Sequence, residues 1–155
     1  MKITILCELA AIQYSKEISN KSIFVSITCP NEDNVKFAKN DNILDVINLK
    51  FNDLDEDYEI NGVVLEKPSQ EDMNGLKDFV DKYKDDVDEI VIHCGAGASR
   101  SPGLGKALID YLNDDSIECN IDFEEYDGYN KRVCSLCKNE FGIGKDLDYF
   151  ESIFG

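Results

Sequence analysis

The chain has 155 residues with 43% hydrophobic and 31% charged side chains, the size and balance of one globular domain spanning residues 1–155. Asp and Glu number 32 against 16 Lys and Arg, a formal net charge of -16, which excludes sequence-independent attraction to nucleic acid or to anionic membranes over most of the surface. Six cysteines without a secretion signal argue for reduced thiols and against a disulfide framework.

The first strand-like run is Lys2 to Cys7. It leads into an apolar stretch broken by Glu8 and lacking a small-residue cleavage site, so no signal peptide is expected. No stretch approaches the roughly 18 apolar residues of a membrane span, and a cytoplasmic location is expected. Ser22 to Thr28 ("SIFVSIT") and Ile43 to Phe51 ("ILDVINLKF") are β-branched runs bounded by turn or charged residues. From Ser69 to Lys84, Met73, Leu76, Phe79, Val80 and Tyr83 share a helical face, with Ser69 and Asp72 spaced like a capping box. Glu89 to Cys94 ("EIVIHC") is apolar on consecutive positions, as a strand buried on both faces is. Five small residues follow. Then Leu104, Ala107, Leu108, Tyr111 and Leu112 repeat with helical spacing. Two further helices are predicted at Tyr129 to Phe141 and Asp146 to Phe154. Strands separated by helices imply an α/β fold, a parallel-rich central sheet of four to five strands with helices on both faces. Ligands of such sheets sit beyond the strand C-termini, which here means the end of "IVIHC".

The loop Gly95, Ala96, Gly97, Ala98, Ser99 presents backbone N–H groups and a helix N-terminus to one point, an arrangement suited to phosphate. Two nucleotide loops are tested and rejected. A Walker loop ending at Gly105-Lys106 needs Gly at 100 and Ser or Thr at 107, where Arg100 and Ala107 stand, and a dinucleotide loop also needs Gly at 100. What fits is a phosphate cradle with its own nucleophile. The N–H groups that hold phosphate also favour the thiolate of Cys94 at the loop's base. Arg100 can bind two phosphate oxygens bidentately and stabilise charge in the transition state. Ser101 can donate a hydrogen bond to the departing sulfur. His93 can brace the loop through a ring N–H to a backbone carbonyl.

"HCGAGASRS" resembles the His-Cys-x5-Arg-Ser pattern of protein tyrosine phosphatases, and "AGxSRS" is similar to the dual-specificity branch. "FVSITCP", "LKFNDLD", "SRSPGLGKAL" and "YNKRV" are similar to segments of small bacterial and phage tyrosine-phosphatase-like proteins, so that the resemblance spans about residues 20–140. It implies the cysteine-phosphatase fold and a two-step reaction without metal or cofactor. Cys94 attacks phosphorus, Arg100 and the N–H groups of Gly95 to Arg100 hold the phosphoryl oxygens, and water hydrolyses the cysteinyl-phosphate. It also implies an upstream aspartic acid that protonates the leaving oxygen. "FND" points first to Asp53, with Asp55 and Asp57 as alternatives. The 41 residues from Asp53 to Cys94 exceed the family's usual spacing, with "EINGVVLEKPSQ" as the apparent insertion.

The expected substrate is a phosphorylated protein or peptide bearing phosphotyrosine, or phosphoserine or phosphothreonine, acted on by a monomer. Phosphoinositide and RNA 5'-triphosphate substrates fit less well, because the loop holds no lysine and residues 52–89 contain 14 acids against 4 lysines, a net of -10. The alternative from another class is a phosphoresidue-binding module with weak or no turnover. A thiol enzyme such as an arsenate reductase is disfavoured because its similar loop sits near the N-terminus. Cys134-x-x-Cys137 lies in a helical pattern without a second Cys/His pair, so metal binding is not expected. Cys7, Cys29 and Cys137 are read as small core residues. Cys119 and Cys134 are candidates for resolving thiols after oxidation of Cys94.

Overall fold

The computed structural model describes residues 1–144, and the helix expected at Asp146 to Phe154 lies outside the described residues. In chain order the elements are β1 (Lys2–Cys7), α1 (Glu8–Glu17), β2 (Ser22–Thr28), β3 (Ile43–Lys50), β4 (Tyr58–Ile60) and β5 (Val63–Leu65). A 3-10 turn (Glu71–Met73) follows, then α2 (Leu76–Tyr83), β6 (Glu89–Cys94), α3 (Arg100–Leu112), β7 (Glu118–Cys119) and α4 (Lys131–Glu140). Five strands form one sheet in the order β3-β2-β6-β1-β7, every neighbouring pair parallel. The α/β architecture expected from alternating strands and helices is the one observed.

Side-chain alternation divides the core between the two faces of the sheet. Ile3, Ile5, Ile23, Val25, Ile27, Ile90 and Ile92 point toward α2, α3 and α4, where Leu76, Val80, Leu104, Leu108, Val133 and Leu136 meet them. On the opposite face Phe24 and Val91 pack with Ile18, Tyr14 of α1 and Phe37 of the loop before β3. Burial of each large aliphatic side chain in these layers stabilises the fold by about 1.5–3 kcal/mol. β6 is buried at all six positions because it lies at the centre of the sheet. This accounts for its unbroken apolar run. α1 leaves β1 toward one face and α3 leaves the adjacent β6 toward the other, which opens a crevice beyond the C-termini of these two strands.

Three local features depart from the sequence pattern. The helix expected over Ser69 to Lys84 is interrupted: Ser69 N–H does donate to Asp72 Oδ2 at 2.7 Å, but over a 3-10 turn. Gly75, at φ 86°, breaks the chain before α2 begins. Helical spacing survives across that break because Met73, Leu76 and Val80 are all buried. α1 follows β1 without an intervening turn and with no side-chain cap at Cys7, so no boundary signal announces it. The apparent insertion "EINGVVLEKPSQ" contains the hairpin β4–β5, closed by Asn61 (φ 51°) and Gly62 (φ 80°). Two consecutive residues of positive φ are what a two-residue type I′ turn requires. No helix of the described residues is long and apolar enough to cross a membrane.

Candidate active site

β6 ends in two residues that face opposite ways. His93 points to the α1 face, fully buried, with Nε2 2.6 Å from Ser26 Oγ and the edge of Phe37 against its ring. Its Nδ1 lies 3.2 Å from the Cys94 carbonyl oxygen, an acceptor, so Nδ1 bears the proton and Nε2 accepts from Ser26. Burial pushes the imidazole below its ordinary range, in keeping with this neutral tautomer. The structure thus shows a ring N–H to backbone carbonyl hydrogen bond of the kind expected for His93. Cys94 points to the α3 face, 2% exposed, with Sγ 3.1 Å from Ser101 Oγ in the first turn of α3.

Between them the chain makes a tight loop. Gly97 sits at φ 71° against the end of β1, and a Cβ there would stand 2.6 Å from Cys7 N and 2.7 Å from Leu6 C. Only glycine meets both conditions. Glu8 N–H closes the junction by donating to Gly95 O at 3.1 Å. The N–H groups of Gly95, Ala96, Gly97, Ala98 and Ser99 have no acceptor among the described residues, while Gly95, Ala96 and Ala98 are exposed. Five donors are thus open to an anion at the N-terminus of α3.

Arg100 lies over this loop, 8% exposed. Its Nη1 donates to Phe51 O at 3.0 Å and approaches Cys29 Sγ at 3.5 Å, which fixes the guanidinium plane between the ends of β2 and β3. Nη2 stands near Gly95, 3.5 Å from where a Cβ would be, and has no hydrogen-bond partner among the described residues. No buried side-chain nitrogen or oxygen there lacks a partner, so Nη2 is open to solvent on the loop side.

Of the three candidate acids, Asp53 meets the loop: its Oδ1 accepts from Ser99 Oγ at 2.8 Å and from Asn130 Nδ2 at 2.9 Å. Its Oδ2 has no partner among the described residues. Asp57 is directed elsewhere, with Oδ1 accepting from Lys67 N–H at 3.0 Å at the base of the hairpin. Asp55 lines a depression beside Lys131 and Arg132 at the start of α4.

Four contributors were not singled out in the sequence. Asn130 caps α4 by accepting from Val133 N–H at 3.0 Å, donates to Asp53 Oδ1 and to Leu54 O, and through its own N–H donates to Ser99 O at 3.1 Å. Its place before a helical pattern is an N-cap signal, although its reach to Asp53 is not local. Tyr126 Oη donates to Ala98 O, and the Phe51 carbonyl holds Arg100. Cys29, read as a core residue, is half-buried at the end of β2 beside Arg100. Burial and the neighbouring Glu32 push its thiol up.

Cys7 is likewise half-buried, and it is the register partner of Cys94 on the adjacent strand. Cys137 is a core residue as read, fully buried with Sγ 3.6 Å from Met73 Sδ. Cys119 pairs in register with Ile3, four residues from the Cys7 position that pairs with Cys94. At about 3.3 Å per residue, this puts it roughly 13 Å away along the strand, beyond the reach of a disulfide. Cys134 is buried on α4 where that helix meets Gly103 of α3. Among the described residues no group of three or more His, Cys, Asp or Glu is placed to hold a metal ion.

Comparison with known proteins returns no family model, no curated protein and no solved structure that matches the chain. The chemistry of the site rests on its own geometry.

Proposed function

We propose that the chain is a cysteine-dependent protein phosphatase of the tyrosine-phosphatase type, hydrolysing phosphotyrosine, and phosphoserine or phosphothreonine where these reach Cys94. The observation that supports this most is the loop itself: five N–H groups without acceptors among the described residues, a cysteine at its base and an anchored arginine whose Nη2 has no partner among them over its rim. In the first step Cys94 Sγ attacks phosphorus while the ester P–O bond breaks. The leaving oxygen takes a proton from Asp53 Oδ2, and Arg100 Nη2 with the loop N–H groups holds the phosphoryl oxygens as charge develops. In the second step water, losing its proton to Asp53, attacks phosphorus, the P–S bond breaks, and Ser101 Oγ–H donates to the departing sulfur.

All six cysteines are free thiols in the structure, and we place the protein in the reducing cytoplasm, acting as a monomer on phosphorylated proteins or peptides and not on nucleic acid or membranes.

A second reading, a phosphoresidue-binding module, is favoured by the same loop, whose free donors and anchored arginine can hold a phosphate whether or not an acid reaches the leaving oxygen. The deciding experiment is hydrolysis of p-nitrophenyl phosphate without added metal, beside Cys94→Ser and with vanadate as competitor. Turnover that vanishes in the serine variant and is blocked by vanadate supports the phosphatase. Absence of turnover in folded protein that still binds vanadate supports the binding module.

A further inference from the structure

The hairpin β4–β5 forms a two-stranded sheet of its own. Its register sets Tyr58 opposite Leu65 and Ile60 opposite Val63. With side chains alternating along each strand, these four share one face, while Glu59 and Val64 share the other. All four are open to solvent, at 55%, 37%, 46% and 61% exposure respectively. Exposed large apolar residues gathered on one face mark an interaction surface.

The surroundings of this face select its partner. Residues 52–66 contain six acids and no lysine or arginine, so the segment that carries the apolar face is itself acidic, with Lys67, Lys131 and Arg132 near its base. A second copy of the chain would set acid against acid, and RNA or an anionic bilayer would be repelled. A polypeptide whose bulky apolar side chains alternate with Lys or Arg satisfies both features at once.

The hairpin is also fixed relative to the candidate active site. Asn52 Nδ2 donates to Glu66 O at 3.0 Å and Lys67 N–H to Asp57 Oδ1 at 3.0 Å, fastening its base. Asp53, in the same segment, is bonded to Ser99 of the phosphate loop. Tyr58 follows Asp53 by five residues, a span of at most about 17 Å, which an extended peptide covers in about five positions.

We infer that the face formed by Tyr58, Ile60, Val63 and Leu65 docks a basic, apolar segment of the phosphorylated protein substrate, beginning within about five residues of the phosphoresidue. The inference rests on the phosphatase reading for the phosphoresidue itself, while the docking face has its own readout. The test compares two phosphotyrosine peptides that differ only in having Leu and Ile or Ser between arginines at that distance.

The parent is expected to favour the apolar peptide by about tenfold or more in kcat/KM, expressed in KM, as for an anchor-type contact. Ile60→Ser with Val63→Ser should remove the preference and leave p-nitrophenyl phosphate hydrolysis unchanged. Glu56→Lys with Glu66→Lys, which spares the apolar face, should weaken binding of the basic peptide and flatten its salt dependence. Binding of both peptides, phosphorylated and not, is measured in parallel on the Cys94→Ser protein by fluorescence anisotropy. If p-nitrophenyl phosphate is not turned over, the phosphatase reading fails while these binding data still decide the docking face. Equal binding of the two peptides, or hairpin variants that bind like the parent, would overturn the inference. So would sedimentation showing a parent dimer that Ile60→Ser with Val63→Ser dissolves, since the face would then be a self-interface.

Discussion

Replacing Gly97 by alanine tests whether the loop conformation is the origin of the site. The added Cβ would lie 2.6, 2.7 and 2.9 Å from Cys7 N, Leu6 C and Leu6 O, all backbone atoms at the end of β1 that no rotamer change can move. Alanine at φ 71° costs about 1–2 kcal/mol for the left-handed conformation, and overpacking against a rigid neighbour adds about 1–3 kcal/mol. The expected destabilisation is therefore about 3 kcal/mol. Any relief requires the loop to lift off β1, which redirects the N–H groups that lack acceptors among the described residues. Gly95→Ala is the control, since its Cβ would make ordinary contact at 3.5 Å with Arg100 Nη2 and should change stability by less than about 0.5 kcal/mol. Urea unfolding followed by far-ultraviolet circular dichroism gives both values in a chain without tryptophan, and vanadate competition reports the loop. A Gly97→Ala protein with the parent's urea midpoint and the parent's vanadate affinity would refute the reasoning.

Asp53→Asn should lower turnover of alkyl phosphates by about a hundredfold or more and of aryl phosphates far less, because only the poor leaving group needs the acid; equal losses would point to Asp55 instead. Asn130→Ala should cost about 1 kcal/mol in urea unfolding as a lost helix cap, and should also shift the alkyl-to-aryl ratio toward that of Asp53→Asn by freeing Asp53. In α3, Gly103→Ala places a Cβ 2.7 Å from the Asn130 carbonyl and should destabilise, whereas Gly105→Ala crowds the side-chain end of Ile5, Cδ1 at 2.6 Å and Cγ1 at 3.4 Å, and not backbone, and should be the milder by thermal melting. His93, held below its ordinary 6.5 by burial, binds a proton more readily when unfolded. Stability is thus fully present above about pH 6.5 and falls as the pH drops below it, a slope that His93→Asn should reduce in urea midpoints. Tyr14, raised by burial and by Glu89 to about 12, keeps its proton in the fold after the unfolded phenol has lost it near 10. Its contribution is present below pH 10 and lost toward about 12, and Tyr14→Phe should remove that alkaline dependence.

What could be read from the sequence was local. "EIVIHC" declared a strand buried on both faces, and the small residues between Cys94 and Arg100 declared a loop joined to a helix; both depend on contiguous residues and periodicity. α1 escaped because β1 runs straight into it without a turn residue or side-chain cap. The hairpin carries a strong turn signal, Asn61-Gly62 between apolar runs, but the resemblance has no counterpart for that stretch and so gives it no structure. The site divides in the same way. Cys94, Arg100 and Ser101 come from one segment, whereas Asp53, Asn130, Cys29 and the Phe51 carbonyl arrive from β2, β3 and α4 through sheet order and helix packing, which no spacing in the chain encodes.

The order His93-Cys94 follows from the same geometry. Along β6, Ile90, Ile92 and Cys94 face α3, while Val91 and His93 face α1, so only a residue at position 94 can emerge beside Ser101. The preceding residue must then fill the other face, where Ser26 and Phe37 provide a hydroxyl and a ring edge for an imidazole. A slip of one residue would turn the histidine toward α3 and the thiol toward α1. It would also exchange Ile90 and Ile92 with Val91 between the two faces and disturb the packing on both. The direction of the Cys94 thiol is thus held by the burial of Ile90, Ile92 and Val91, and the histidine adds the local correction, tying the Cys94 carbonyl through Nδ1 so that the chain turns into the loop at a fixed angle. The placement of Cys94 at the loop and the stability of the sheet depend on one register.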